Sequence, residues 1–346
     1  MPREGSPDKS VGHDGDGMAD RHGFDVVTLG ECLAAFVATS PGPLAEARTF
    51  ERHVAGAEAN VAVGLARLGH RAAYIGRVGG DGFGTAIVRT LRGEGVATDH
   101  LVVDATGRTG VMFRERRGLG AIDVVYHRAA SAGSHLDLAD IQAAADDGAF
   151  AGARWLHLTG ITPALSVTAA EATARALELA REVGATVSLD INLRRRLWSE
   201  EVAARVLREL AAGVDVVLGS VDELALIADA RPSAPPEDLV TAIVRLGPTT
   251  AVAKLGADGA LGLEAGGLPV LSAGVPVSRI VDPIGAGDAF CAGFIAGRLD
   301  GADLATALRM ANACGALAVA ADGDQAGLPD RDELARLLAG GPDTLR

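Results

Sequence analysis

Between Trp155 and Lys254 the chain alternates short β-rich runs with longer helical stretches, and few architectures accept that pattern. Trp155–Thr159, Thr186–Ile191, Asp215–Leu218 and Thr250–Lys254 read as strands. Ser166–Glu182, Ser199–Ala211 and Val221–Ala228 read as the helices between them. Strands joined through helices run parallel, so the pattern predicts a parallel sheet covered by helices. Phe24–Gly30 and Ala72–Val78 add two strands; Ala59–Leu68, ended by Gly69, and Phe83–Leu91 add two helices. Apolar residues make up 48% of the 346 residues and aromatics only 3%, so the core must be built from Ala, Val and Leu. That length suits one large α/β domain or two smaller ones.

The alternation breaks between Thr98 and Arg128. Short pieces (LVVD, TGVMFRE, AIDVVYHR) are separated by turn residues with no helix between them, and together with residues 32–55 they predict a separate small sheet. Pro232–Pro236 marks a surface loop. Residues 1–22, rich in Gly, Asp, His and Ser, lack the apolar centre of a signal peptide and read as a disordered tail ahead of one domain over 23–342. A net charge of −13 argues against nucleic acid or an anionic membrane as partner. Cys32, Cys291 and Cys314 lie far apart without metal-ligand spacing, as expected of thiols in a reducing cytosol. No apolar run reaches the roughly 18 residues of a membrane span.

The segment Val281-Asp282-Pro283-Ile284-Gly285-Ala286-Gly287-Asp288-Ala289-Phe290 carries the chemistry. The apolar run Pro269–Val281 reads as a strand leading into a Gly-Ala-Gly turn. The helix beyond spaces Phe290 and Phe294 for one buried face. Glycines let backbone amides approach a ligand closely, and the unpaired N–H groups of a helix start suit an anion. A carboxylate at the same point, Asp288, would repel a phosphate unless it takes a proton from the hydroxyl that attacks it. The alternative is an ordinary helix start with an acidic first turn.

Other distinctive residues fall at the carboxyl ends of strands, where ligands gather in open parallel sheets. These are Gly30-Glu31, Asp190 and Asn192, Ser220 to Glu223, and Gly256 to Gly259 after Lys254. Gly79–Gly84 fails the dinucleotide spacing because Thr85 occupies the third glycine position, and GxxxxGK[ST] is absent.

AGAEAN (55–60), Leu68-Gly69, Gly76–Gly79 and Asp81–Gly84 resemble the N-terminal signature of ribokinase-like carbohydrate kinases, and DPIGAGD (282–288) resembles their C-terminal signature. AGAEAN, Tyr126-His127-Arg128 and Asp190–Arg194 are most similar to the 2-keto-3-deoxygluconate kinases. The resemblance implies a three-layer α/β/α fold with a mostly parallel central sheet and a small β-sheet lid. It also implies ATP-dependent phosphorylation of a sugar-acid hydroxyl. Asp288 would be the general base, and Gly285, Ala286 and Gly287 the anion hole. Mg²⁺ would bridge the phosphates with Glu223 nearby, and a monovalent cation such as K⁺ is compatible with the family.

For the sugar acid, Arg128 and Arg194 offer guanidinium forks to a carboxylate. Tyr126 offers its hydroxyl, Gly56 a close approach to backbone, and Asn60 an amide. For the nucleotide, the resemblance implies Asn192, Arg194, Ser220, Lys254, Gly256, Gly259, Gly285, Gly287 and Asn312. Each has a structural alternative. Tyr126 could pack the small sheet, Arg194 could join Arg195 and Arg196 in a surface patch, and Asn60 could be a first-turn asparagine. Lys254 to Gly259 could form only a hairpin, Asn312 could face the core, and Ser220 could cap a helix.

Two positions depart from the family pattern: Ser220 replaces the asparagine of Asn-x-x-Glu, and Met112 stands where these kinases often carry a tyrosine. A fructokinase or ribokinase for neutral sugars, or a non-catalytic sugar sensor, are the other readings; a nicotinamide dehydrogenase lacks its glycine fingerprint. An exposed sheet face on the lid predicts a homodimer.

Overall fold

Val26–Gly30 (β1), five consecutive buried residues, is an interior strand of the larger of two sheets. The computed structural model describes residues 23–116 and 123–340, so the expected tail over 1–22 lies outside the described residues. After β1 come β2 (Leu33–Pro41), β3 (Phe50–Ala55), α1 (Ala57–Arg67), β4 (Ala72–Gly79), α2 (Gly82–Gly93) and β5 (Leu101–Asp104). Next are β6 (Val111–Arg116), β7 (Val124–His127), α3 (Leu138–Asp146), β8 (Trp155–Thr159), α4 (Val167–Glu182), β9 (Thr186–Asp190) and α5 (Glu200–Ala211). Then follow β10 (Val216–Ser220), α6 (Val221–Ala228), α7 (Pro236–Leu246), β11 (Thr250–Lys254), β12 (Gly259–Glu264) and β13 (Val270–Ala273). The chain closes with α8 (Ala286–Leu299), α9 (Leu304–Val319) and α10 (Arg331–Leu338).

One sheet has the order β13-β12-β11-β10-β9-β8-β1-β4-β5. It is parallel from β11 to β5, and β12 and β13 add antiparallel strands at one edge. Alternate residues feed opposite faces. Val26, Val216, Leu218 and Val252 join α1, α2, α8, α9 and α10 in one core. Val27, Leu29, Val217, Ala251 and Ala253 join α3 to α7 in the other. This is the parallel sheet covered by helices that the alternation predicts, in the three-layer α/β/α form that the resemblance implies. The shortage of aromatics shows in close packing. α4 buries Ala169, Ala172, Ala176 and Ala180. A Cβ on Gly293 of α8 would stand 2.8 Å from the Met310 carbonyl of α9, so these helices meet nearly backbone to backbone.

A second sheet has the order β3-β2-β6-β7. Its inner face carries Leu33, Ala35, Ala55 and Met112. The opposite face is aromatic: Phe36 stacks on Phe113 (5.2 Å between centroids), Phe50 meets Phe113 edge-on, and Phe83 of α2 meets Phe36 edge-on.

Three local expectations change. Leu101–Asp104 belongs to the main sheet, because the α2 crossover brings it beside β4, where it finds a parallel partner (Gly76↔Leu101). The run 269–281 pairs only over Val270–Ala273. At Gly274 the backbone presses against Ala257, whose carbonyl would lie 2.1 Å from an added Cβ, and the chain leaves as a loop with Ile280 and Val281 exposed. Beyond the proline-rich loop, α7 starts directly at Pro236, where a missing N–H costs nothing. The glycine run at 79–84 is a helix cap: the Asp81 carboxylate accepts the Phe83 and Gly84 amides at the start of α2.

Candidate active site

The loop over 282–285 delivers the chain to α8 through Gly285, whose φ of +83° favours glycine; an added Cβ would also lie 2.6 Å from the Asp324 carbonyl oxygen. The Ala289 amide donates to the Gly285 carbonyl (2.9 Å), so the amides of Ala286, Gly287 and Asp288 precede the helical ladder. A Cβ on Gly287 would stand 3.5 Å from Lys254 Nζ, which puts that ammonium against the turn. Asp288 is 9% exposed. Asn60 Nδ2 donates to Asp288 Oδ2 (2.8 Å), and Asn192 Nδ2 approaches Oδ1 (3.4 Å). Burial pushes the Asp288 pKa up; the Asn60 hydrogen bond and the Arg194 charge oppose it, and the Asp190 and Asp324 charges add to it, leaving it at about 7.

The neighbouring groups stand on strand ends. Lys254, last residue of β11, donates to Asp190 Oδ1 (2.7 Å), last residue of β9. Burial lowers the lysine pKa, but Asp190, Cys291 and Glu223 raise it on balance, so it stays an ammonium. Asn192, at φ +39°, holds a left-handed conformation unusual outside glycine and reaches back to Asp190 Oδ2 (3.3 Å). Of the arginine triplet, only Arg194 lines the cavity. Arg195 pairs with Glu200, and Arg196 reaches Asp123 and the Val124 carbonyl, both at the surface.

Glu223 faces the same cavity, yet each of its oxygens already accepts one amide, from Leu193 and from Ser220 (2.8 Å each). Ser220 Oγ accepts the Glu223 amide in return, a capping box that starts α6. Ser220 is thus the helix cap that the sequence left as its alternative. Asn312 is buried and donates to the Ser272 and Ala273 carbonyls and to Ser272 Oγ, so it ties α9 to β13 as a core asparagine. Gly256 and Gly259 form the β11–β12 hairpin connection; Gly259 has φ +104° and lies against β13, leaving a Cβ 2.1 Å from the Ser272 carbonyl.

On the side of the small sheet, the cavity of about 280 Å³ is lined by Glu31, Gly56, Glu58, Met112, Tyr126 and Arg128. Gly56 has φ +150° and would put a Cβ 2.6 Å from the Glu31 carbonyl, so its glycine is needed by the β3–α1 junction itself, where it packs on the β1–β2 connection. Arg128 is not a free cation: Nε donates to the buried Glu31 (2.7 Å), Nη2 also meets Glu31, and the guanidinium lies 5.7 Å from the Tyr126 ring centroid. Ser131 Oγ hydrogen-bonds the other Glu31 oxygen. Tyr126 is 37% exposed on β7, opposite Met112.

Asn60 does not present a free amide. Its Oδ1 accepts Gln325 Nε2 (3.0 Å) while its Nδ2 is given to Asp288, and it sits inside α1 past the first turn. Glu58 is buried with Thr159 and Thr162 hydroxyls on Oε1 (2.6 and 2.5 Å), and burial raises its pKa.

Eleven of the sequence-derived positions therefore line one cavity, while Ser220, Gly256, Gly259, Asn312 and Ala286 do not. Sequence reasoning missed the Glu58 carboxyl, Ser131, Asp324 and Gln325. Glu58 stood inside a recognised motif, whereas no local pattern marks residues 324 and 325. Among the described residues no group of three or more His, Cys, Asp or Glu could cage a metal ion, and no helix is long and apolar enough to cross a membrane.

A family model described as pfkB family carbohydrate kinase matches residues 24–331. The 2-dehydro-3-deoxygluconokinase of Bacillus subtilis (strain 168) is 37% identical over 318 residues, covering 91% of this chain and 96% of its own. That of Thermoproteus tenax is 38% identical over 319 residues, covering 91% and 94%. A double mutant of the fructokinase from Vibrio cholerae O395, solved with fructose, ADP and potassium ion, superposes with a TM-score of 0.79 at 31% identity over 91% of this chain and 99% of its own. With a matching fold, a Gly-Ala-Gly turn beside a buried aspartate and relatives over nearly its whole length, this chain belongs to the pfkB family of carbohydrate kinases.

Proposed function

We propose that this sugar kinase moves the γ-phosphoryl group of ATP to a hydroxyl of a sugar acid, with 2-keto-3-deoxygluconate (2-dehydro-3-deoxygluconate), phosphorylated to its 6-phosphate, as the leading substrate. The observation that carries the reading is the Asp288 carboxyl, with a pKa of about 7, beside the amides of the 285–288 turn. The acceptor hydroxyl must lose its proton as its oxygen bonds to phosphorus. Asp288 takes that proton, and the turn amides receive the charge on the migrating group, which leaves ADP behind. Asn60 and Asn192 aim the carboxylate, and Lys254 stands beside the turn where phosphate charge gathers.

Magnesium arriving on the nucleotide phosphates would neutralise their charge. With no protein cage among the described residues, Glu223, both of whose oxygens already hold an amide, would reach the ion through water. Arg194, the lining cation with no carboxylate bonded to it among the described residues, suits the substrate carboxylate or the phosphates. The potassium ion of the V. cholerae neighbour extends the reading to monovalent-cation activation. The small sheet serves as a lid that excludes water, and its aromatic outer face pairs with a second copy. Three buried free cysteines suit the cytoplasm.

A neutral ketose such as fructose is the second reading, favoured by one observation: Glu31 already compensates the Arg128 charge, and Met112 supplies no hydroxyl. ADP release across a panel of sugars and sugar acids with ATP tests both. The mechanism fails if Asp288→Asn turns over the best substrate as wild type does.

A further inference from the structure

Alternate residues of β6 line a seam between the two sheets. Met112 enters the sugar cavity, while Arg114 and Arg116, on the same face, reach residues 282 and 322–324. Arg114 is 2% exposed. Its Nη2 lies 2.6 Å from Asp282 Oδ2 and its Nη1 3.5 Å from Asp324 Oδ1, and both acids are buried. Arg116 pairs with Asp322. His53 of β3 presses on Gly323, where an added Cβ would lie 2.9 Å from its Nδ1.

Each partner of Arg114 leads to the reacting groups. Asp282 accepts the amide of Ile284 (3.0 Å), next to Gly285, and that of Gly323 (3.2 Å). The Asp324 backbone packs on Gly285, and the adjoining Gln325 holds Asn60, which holds Asp288. A guanidinium fork suits this place because it serves two carboxylates at fixed angles, as an ammonium does not.

We propose that Arg114 is a positioning residue through which the small sheet shapes the phosphate turn and orients Asp288, without itself touching the sugar. The inference rests on Asp288 being the base. It predicts a split in which nucleotide use and turnover depend on Arg114 and sugar affinity does not.

The test uses the full chain with whichever sugar or sugar acid wild type phosphorylates best. Arg114→Gln removes the charge; Arg114→Lys keeps it and guards against a variant that fails to fold. Sugar affinity is read by calorimetry without nucleotide, alongside kcat, KM for ATP and the pH dependence of kcat. Both variants are expected to bind sugar within about twofold of wild type, with kcat lowered about tenfold or more and KM for ATP raised. In Arg114→Gln the acid limb of kcat moves to higher pH, because the Asp324 charge, which already raises the Asp288 pKa, then acts without the guanidinium beside it. A folded Arg114→Lys or Arg114→Gln enzyme with kcat and KM for ATP within about twofold of wild type would overturn the proposal. So would a loss of sugar affinity matching the loss of turnover. An active Asp288→Asn enzyme would instead sink the assignment of the base, so the two failures are distinguishable.

Discussion

Asn60 and Asp288, 228 positions apart in sequence, meet through a 2.8 Å hydrogen bond that joins α1 to the first turn of α8. The bond runs from an amide to a carboxylate that burial pushes toward neutrality, so it favours the ionised form that a base must have. Asn60→Ala should therefore move the acid limb of kcat above the wild-type midpoint and lower kcat at pH 7 by roughly tenfold, with KM for sugar changing less. A rise in KM for sugar with an unmoved pH profile would return Asn60 to direct sugar contact.

Asp288 links activity to stability in opposite directions. Its folded pKa of about 7 exceeds the ordinary 3.8, so the folded protein holds that proton more tightly than the unfolded chain. Stability from this group is complete below the unfolded value and declines as pH rises to about 7, while kcat rises over the upper part of that range. Asp288→Asn should lower kcat by about 10²–10⁴. At pH 8 it should also stabilise the fold by about 1–4 kcal/mol, a gain that vanishes near pH 4. Thermal melts of both proteins at the two pH values check the sign.

Arg128 and Glu31 should be inseparable in mutagenesis. Arg128→Ala leaves a buried carboxylate without its cation, a loss of about 3–5 kcal/mol, and should raise KM for a sugar acid while hardly changing that for fructose. Adding Glu31→Gln should restore most of the melting temperature. If the double variant also restores KM for the acid, Arg128 does not contact the substrate carboxylate.

The main sheet was legible because strand and helix periods alternate regularly, and the turn at 285–288 because glycine spacing and a carboxylate stand together. Partner choice was not legible. Nothing near Arg128 announces that Glu31, 97 positions earlier, takes its charge, and nothing near residue 324 announces Gly285. Leu101–Asp104 looked like its β-rich neighbours because a four-residue strand carries no signal of which sheet will accept it.

Ser220 separates capping from nucleotide contact. Its hydroxyl accepts the Glu223 amide, so Ser220→Ala should cost about 1 kcal/mol and lower the melting temperature. KM for ATP should stay within about twofold, since Glu223 keeps its bond from Leu193. A large rise in KM for ATP would mean that the hydroxyl meets the nucleotide after all.

Val125 tests the proposed pairing of small sheets. It stands on β7 opposite Phe113, with Phe50 and His127 beside it, on a face where Val125 is exposed and Phe36, Phe50 and Phe113 are half-buried. Burying such a face against its copy gains roughly 25 cal/mol per Å² of apolar area, and one charge at its centre removes much of that gain. Val125→Lys should therefore convert a dimer into a monomer by light scattering, and because Tyr126 and Arg128 line the cavity from the same stretch, KM for sugar should rise as the lid loosens. A wild-type chain that is monomeric at micromolar concentration would remove the basis for this pairing and leave the aromatic face to stabilise the small sheet alone.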